Sequence, residues 1–366
     1  MGFIGPETRI HVKRRARTSL GHALRIVLTG AFFIGHLVHR GRVKPTNPRT
    51  VLIVRFDLMG DIVNALSAAA AARTRWPNVH ITFVAPKRWI PIVVRCKAVD
   101  EVLAFDGGAL THWPSVLDLR AWIDALRTLK RIRSRRFDLA CSVYGPIAGV
   151  VVALSGAQWR MGYQSEAPRW SFDQSIQGSR LNGGPHEAAL AAHLIDDAPP
   201  TWLVLTDRQK SGHDTKPSHP LVVLHPGVAH GSAKRWPDSH WIDLARALRA
   251  KVGTLVLVGL EDATPLAHEL ARANIPITDL TGQTSLDGLI DVLADADVVV
   301  SADSGPGHLA RALGQRVVML YGPTDIAVHG PGDPSSRALR VDLPCGPCYQ
   351  FDRPAECKYG DMLCMH

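Results

Sequence analysis

Three short segments of this 366-residue chain combine side chains that move protons or hold anions with glycines that permit tight turns. The first is RFDLMGDIVNAL (55–66). Gly60 allows a turn after an apolar run, and Asp61 opens an Ala-rich helical segment. A carboxylate there can accept a proton. Asp is also a favoured N-cap. Asp57, four residues earlier, is a second candidate.

The second segment is HPGVAHGSAKRWP (225–237). An apolar run enters a Gly- and Ser-containing loop that ends in Lys234, Arg235 and a helix start near Pro237. Backbone N–H groups plus a lysine at a helix start suit an anion. The Gly-Lys-Ser/Thr order of a Walker A loop is missing. A polar loop with Trp236 as a hydrophobic staple is the purely structural alternative. The third segment is SADSGPGHLARAL (301–313). Ser304 and Gly305 can offer N–H groups to a diphosphate, Pro306 suits the first helical position, and His308 faces the same space from the first turn. Ordinary capping by Asp303 or Ser304 is the alternative. A fourth cluster, Cys345, Cys348, Cys357 and Cys364, reads C-x2-C-x8-C-x6-C. Four thiolates are a candidate structural Zn or Fe site, and free thiols are the alternative.

The elements that must position these residues follow a βα rhythm. Apolar strands are expected at 51–54, 81–84, 101–105 and 139–143, with helices at 61–75 and 116–135. A loop-rich stretch is expected over 156–184, a helix over 186–195, and a polar, Pro-containing linker over 206–220. The rhythm restarts with a strand and loop at 221–227 and at 297–303, strands at 254–259 and 316–322, and helices at 238–251, 264–273, 285–293 and 306–313. Short apolar strands alternating with helices predict an α/β fold with two doubly wound, Rossmann-like parallel domains facing across a cleft. The expected divisions are a leader over 1–48, one domain over 49–205, the linker over 206–220, a second domain over 221–340 and a cysteine-rich tail over 341–366.

Charge is distributed unevenly. The formal net charge is +9, yet residues 1–49 hold ten Lys/Arg and only Glu7, so the remainder is neutral. That distribution, with aromatics at 6%, excludes a basic nucleic-acid binder. The leader has an uncharged stretch, 26–38, flanked by basic residues, which suits an amphipathic helix on an anionic membrane surface. The stretch is too short to span a bilayer. Four of six cysteines crowd the last 22 residues, which is unlike a secreted disulfide framework and fits a reducing cytoplasm.

These segments carry a resemblance. VLIVRFDLMGDIV, HPGVAHGSAKRWP, LVLVGLED (255–262), DLTGQTSL (279–286) and DSGPGHLARALGQRVVMLYGPTD (303–325) resemble, in order and spacing, glycosyltransferase family 9, the ADP-heptose:lipopolysaccharide heptosyltransferases. The resemblance covers roughly Val51 to Cys364. It implies a GT-B fold and an inverting, metal-independent transfer from a nucleotide-sugar donor, ADP-heptose, to a lipopolysaccharide or other envelope glycan acceptor. It implies Asp61 as general base, with Asp57 and Gly60 on the acceptor side. Lys234, with Ser232 in the same loop, would hold the donor phosphates. Glu261 or Asp262 would bind the ribose, and Asp303, Ser304, Gly305 and His308 would surround the diphosphate and sugar. It places the enzyme at the inner face of a bacterial cytoplasmic membrane, with no cofactor for catalysis. Some relatives carry similar cysteine tails, including protein-modifying heptosyltransferases with an iron-binding finger. Protein O-heptosyl transfer and a GT-B-like sugar-nucleotide 2-epimerase are the competing activities.

Overall fold

The computed structural model describes residue 30 and residues 43–106, 118–165, 172–178, 180, 183–196, 199–202, 205, 220–229, 231–349 and 354–366. The expected leader helix and nearly all of the expected linker lie outside the described residues.

Two six-stranded sheets organise the chain. The first contains β1 (Thr50–Val54), β2 (His80–Ala85), β3 (Glu101–Ala104), β4 (Leu139–Ser142), β5 (Trp159–Tyr163) and β6 (Gln174–Ile176) in the order β3-β2-β1-β4-β5-β6. The second contains β7 (Leu221–His225), β8 (Thr254–Leu257), β9 (Thr278–Asp279), β10 (Val298–Ala302), β11 (Arg316–Tyr321) and β12 (Arg337–Arg340) in the order β12-β11-β10-β7-β8-β9. The central pairs β1/β4 and β7/β10 are parallel, with Ile53 opposite Cys141 and Val300 opposite Leu224. Both sheets change strand direction of growth beside β1 or β7, which is the doubly wound pattern. The apolar strands are buried because helices cover both faces of a parallel sheet. Among the described residues, no helix is long and apolar enough to cross a membrane.

Residue contacts divide the chain into two compact units. The first comprises the described residues of Met1–Phe56, Val84–Lys87 and Leu103–Gln177. Its core joins Leu52, Val54, Phe137, Ala140, Val152 and Phe172. Strands β5 and β6 fall in the stretch expected to be loop. The reason is Arg160, which interrupts the apolar pattern of β5 yet is only 1% exposed. Its guanidinium is neutralised by Asp173, with Nε 3.0 Å from Oδ2 and Nη2 3.1 Å from Oδ1. A buried cation is tolerated when paired and hydrogen-bonded.

The second unit comprises Asp57–Phe83, Arg88–Val102 and the described residues of Gly178–His366. It contains α1 (Met59–Arg75), whose run of alanines lets it pack closely on two short helices. Among the described residues the remaining α-helices, in chain order, include α2 (Ile90–Val93), α3 (Leu119–Ser134), α4 (Pro146–Leu154), α5 (Glu187–His193), α6 (Asp238–Arg249), α7 (Thr264–Arg272), α8 (Leu286–Asp295), α9 (Gly305–Ala312) and α10 (Ile326–His329). The short helices packed on α1 are α5 and α9. The approach of α1 to α9 requires glycine on both sides. A Cβ on Gly60 would stand 3.0 Å from His308 Cδ2, and one on Gly305 would stand 2.8 Å from Met59 Cβ. The sheet core of this unit joins Leu224, Trp241, Leu257, Leu266 and Leu270.

Candidate active site

Within the second unit a cavity of about 830 Å³ opens at the carboxyl ends of β7, β8 and β10. That is where open α/β sheets hold ligands. Gly60, Asp61, Lys234, Glu261, Asp262, Asp303, Ser304, Gly305 and His308 all line it. Asp57, Ser232 and the four tail cysteines do not.

One wall is built on α1. The helix begins at Met59, so Asp61 is its third residue rather than its cap. Asp61 Oδ2 accepts the backbone N–H of Leu58 at 3.0 Å, which satisfies one orphan donor of the helix end. Asp61 Oδ1 is 2.5 Å from Nη2 of Arg180. Arg180 also contacts Glu187 and lies 3.7 Å from Asp57 Oδ2. Burial alone would lower the Arg180 pKa. The carboxylates of Glu187, Asp61 and Asp57 outweigh burial and raise it. Behind this cluster, Glu187 Oε2 accepts from Asn64 Nδ2 at 3.2 Å, and Asn64 Oδ1 accepts from Arg311 Nη2 at 3.0 Å. The network fixes Asp61 from two directions and leaves it facing the cavity.

The opposite wall is suited to an anion. Lys234 ends a short turn, 232–234, and its Nζ lies 2.9 Å from Asp303 Oδ2. The same oxygen accepts from Thr324 Oγ1 at 2.5 Å. Burial would raise the Asp303 carboxyl, but Lys234 and the Thr324 hydrogen bond prevail and lower it. The Lys234 ammonium also sits 4.3 Å from the centroid of the Tyr349 ring. The N-terminus of α9 borders the cavity, and Ser304 makes no side-chain cap there. The N–H groups of that first turn, Pro306 having none, are therefore not taken up by a side-chain cap, which suits an anion in the cavity.

Two buried histidines stand beside that end. Burial first, then the Arg311 charge, push His308 down to about 3, so it is neutral near pH 7. Its Nδ1 is buried without a hydrogen-bond partner among the described residues. Burial pushes His225 down to about 4, and its Nδ1 lies 3.0 Å from Ser304 Oγ. Asp262 Oδ2 accepts from the Val228 N–H at 3.2 Å, whereas Glu261 is exposed and unengaged among the described residues. Glu261 is thus the freer acceptor for a ligand hydroxyl pair.

The tail closes this side. Cys348 and Tyr349 donate their N–H groups to the Pro323 carbonyl at 2.9 and 3.0 Å, and Ala233 donates to the Ala355 carbonyl at 3.1 Å. Ala233, Tyr349 and Ala355 form a small apolar cluster with Cys357 against it. All four tail cysteines are free thiols. Among the described residues no group of three or more His, Cys, Asp or Glu is placed to hold a metal ion. The tail thiols are near neighbours all the same: burial first, then Cys345 and Cys357, raise Cys348, and burial first, then Cys348, raises Cys364.

Arg180, Glu187, Asn64, His225, Thr324 and Tyr349 were not singled out in the sequence. Arg180 and Glu187 lie in or beside the stretch read as loop. Tyr349 lies between Cys348 and Cys357, in a segment whose sequence signal is its thiols.

Residues 125–359 match the profile of glycosyltransferase family 9 (heptosyltransferase). Lipooligosaccharide heptosyltransferase 2 of Haemophilus influenzae is 34% identical over 299 residues, spanning 75% of this chain and 83% of the relative. Among solved structures, the E. coli ADP-heptose lps heptosyltransferase II superimposes with a TM-score of 0.65 at 21% identity, covering 81% of this chain and 92% of the other. The E. coli heptosyltransferase WaaC with ADP superimposes with a TM-score of 0.63 at 20% identity, covering 79% and 92%. With a GT-B-like pair of parallel sheets and this match over most of its length, the chain belongs to glycosyltransferase family 9 and is a glycosyltransferase.

Proposed function

We propose that this enzyme transfers a heptose from ADP-heptose to an acceptor of the lipopolysaccharide core, with inversion at the anomeric carbon and without a catalytic metal. The observation that carries the reading is the pairing, across one cavity, of the Asp61 carboxylate with an anion-binding wall of Lys234 and the α9 N-terminus. Asp61 takes the proton of the acceptor hydroxyl as it attacks. The C–O bond to the diphosphate breaks on the opposite face, and its electron pair leaves with ADP. The leaving group gains negative charge, so Lys234 and the helix end stabilise the transition state more than the ground state. Neutral His308 lines the cavity and contacts the sugar or diphosphate with the accessible part of its ring in this scheme. Glu261 accepts from the ribose. Residues 49–205 would serve the acceptor and residues 221–340 the donor.

The names of the relatives support the donor and acceptor classes. The positive leader fits attachment to the inner face of the cytoplasmic membrane.

A thermal-shift panel tests the donor. A ligand that binds only the folded state raises its stability as the ligand exceeds its dissociation constant. ADP should raise the melting midpoint, while UDP and GDP at equal concentration should not. A preference for UDP or GDP would overturn the ADP assignment. Incubation with ADP-heptose and a core acceptor should then add one heptose to the acceptor mass.

A further inference from the structure

Helix α3 is attached to its unit by one face and exposes large apolar side chains on another. Ile132 is its single buried residue, and Ala125 packs beside it on the core. Leu119, Trp122, Ile123 and Leu126 follow the i, i+3, i+4, i+7 spacing of one helical stripe. Leu119 is 71% exposed and Leu126 is 63% exposed. Large aliphatic side chains this accessible, aligned on one stripe, mark an interaction surface rather than chance exposure.

The remainder of the helix is cationic. Seven Lys/Arg fall between residues 119 and 136, against a single acid, Asp124. Residues 50–366 are neutral as a whole, so this is a local concentration of charge. At its C-terminal half an open groove of about 580 Å³ is lined by Leu126, Leu129, Lys130, Arg133, Ser134 and Arg136. Three cations and a hydroxyl meet two leucines there, on the same side as the apolar stripe.

We propose that α3 is a docking helix for an anionic lipid bilayer. Leu119, Ile123 and Leu126 enter the boundary between headgroups and acyl chains. Arg127, Lys130 and Arg136 pair with lipid phosphates, their aliphatic stems lying along the apolar surface. Charge complementarity and the leucine stripe together select this occupant. A nucleic-acid backbone would satisfy the cations but would leave the leucines in water. The inference extends the membrane placement proposed above to a second element and stands on this helix, not on the leader.

The test is co-sedimentation of the full chain with vesicles of phosphatidylcholine containing 30% phosphatidylglycerol. Two variants are compared with the wild type: Arg127→Glu/Lys130→Glu and Leu119→Ser/Leu126→Ser. Each should weaken the partition coefficient at least tenfold, with the melting midpoint within about 2 °C of wild type, since these side chains are exposed. Wild-type failure to bind would overturn the membrane placement itself. Wild-type binding that neither variant weakens would overturn the role of α3 alone. A melting midpoint lowered by more than about 5 °C in the Leu variant would show a packed face and sink the proposal. So would a change from dimer to monomer in that variant with vesicle binding intact, or duplex DNA binding lost in the Glu variant with vesicle binding intact.

Discussion

The Lys234 ammonium lies over the Tyr349 ring, 4.3 Å from its centroid, and on its other side meets Asp303 Oδ2 at 2.9 Å. A lysine held between a ring face and a carboxylate has lost most of the freedom of its four-carbon stem. In the proposed mechanism its charge is therefore already aimed when a diphosphate arrives. Burial and the charges of Asp303 and Asp61 push the Tyr349 hydroxyl up to about 12, so the ring stays neutral and its face keeps its attraction for the cation. Tyr349 is thus a positioning residue. Tyr349→Leu should raise the donor KM by about 3- to 30-fold, the range of a cation–π contact. Tyr349→Phe should stay within about twofold of wild type, because the ring remains. Equal losses in both variants, or a loss confined to kcat, would contradict the positioning role.

Asp61 is the expected base. Asp61→Asn keeps an acceptor oxygen for the Leu58 N–H but cannot take the proton. Its kcat should fall by roughly 100- to 10,000-fold, the usual worth of general base catalysis. ADP affinity, measured by calorimetry, should be unchanged. Asp57→Asn should cost only a few-fold, since Asp57 does not line the cavity. The reverse pattern would assign the base to Asp57.

Arg180 joins three carboxylates, Asp61, Asp57 and Glu187. Its removal leaves buried Glu187 without its principal countercharge. Arg180→Ala should cost about 3–5 kcal/mol, read as a fall in the urea midpoint. Arg180→Lys retains the charge but not the fork and should recover part of the loss. An Arg180→Ala protein as stable as wild type would mean that the cluster holds together through other groups.

Acid should destabilise the protein before the carboxylates titrate. His308 is held down to about 3, and His225 and His186 to about 4, all chiefly by burial. In the unfolded chain each takes a proton near the ordinary histidine value of 6.5. Between that value and about 4 the unfolded state binds more protons, so stability falls as pH falls. Each histidine contributes up to about 1.4 kcal/mol per pH unit in that window. The stability contribution is complete above pH 6.5. The melting midpoint should drop between pH 7 and pH 5, and His308→Asn should flatten that slope. A midpoint independent of pH over this range would show that these rings protonate in the folded state.

A lysine and a helix end replace a divalent ion at the diphosphate in the proposed mechanism. Turnover should therefore survive 5 mM EDTA within about 20%, a span well below the tenfold that 1.4 kcal/mol of barrier would bring. The tail thiols are not arranged as a metal group, so the purified protein should carry well under one equivalent of zinc or iron. Loss of turnover on chelation, restored by added metal, would overturn the first expectation. One equivalent of bound metal would overturn the second.

The residues lining the cavity were largely legible because each follows a strand in sequence, and the end of a strand in a parallel sheet has only one place to point. Asp61, Lys234, Asp303 and His308 could be found this way. What surrounds them could not. Arg180 lies 119 positions from Asp61 in a stretch without periodicity, and nothing local signals that they meet. Arg160 hid a strand by being a cation in a buried register, a choice that makes sense only with Asp173 in place. The tail showed only its cysteine spacing. Its contacts with Pro323 and Ala233 arise from backbone carbonyls and small side chains, which leave no pattern.

The tail also matters for anyone handling this protein. Met365 packs against Gly322, and the His366 ring lies 5.9 Å from that of His240, so this segment is seated on the body. A polypeptide cut after residue 343 would retain the strands of both sheets yet lack Tyr349 and the wall beside Lys234. Assays on such a version would report a weakened donor site and misrepresent the native one.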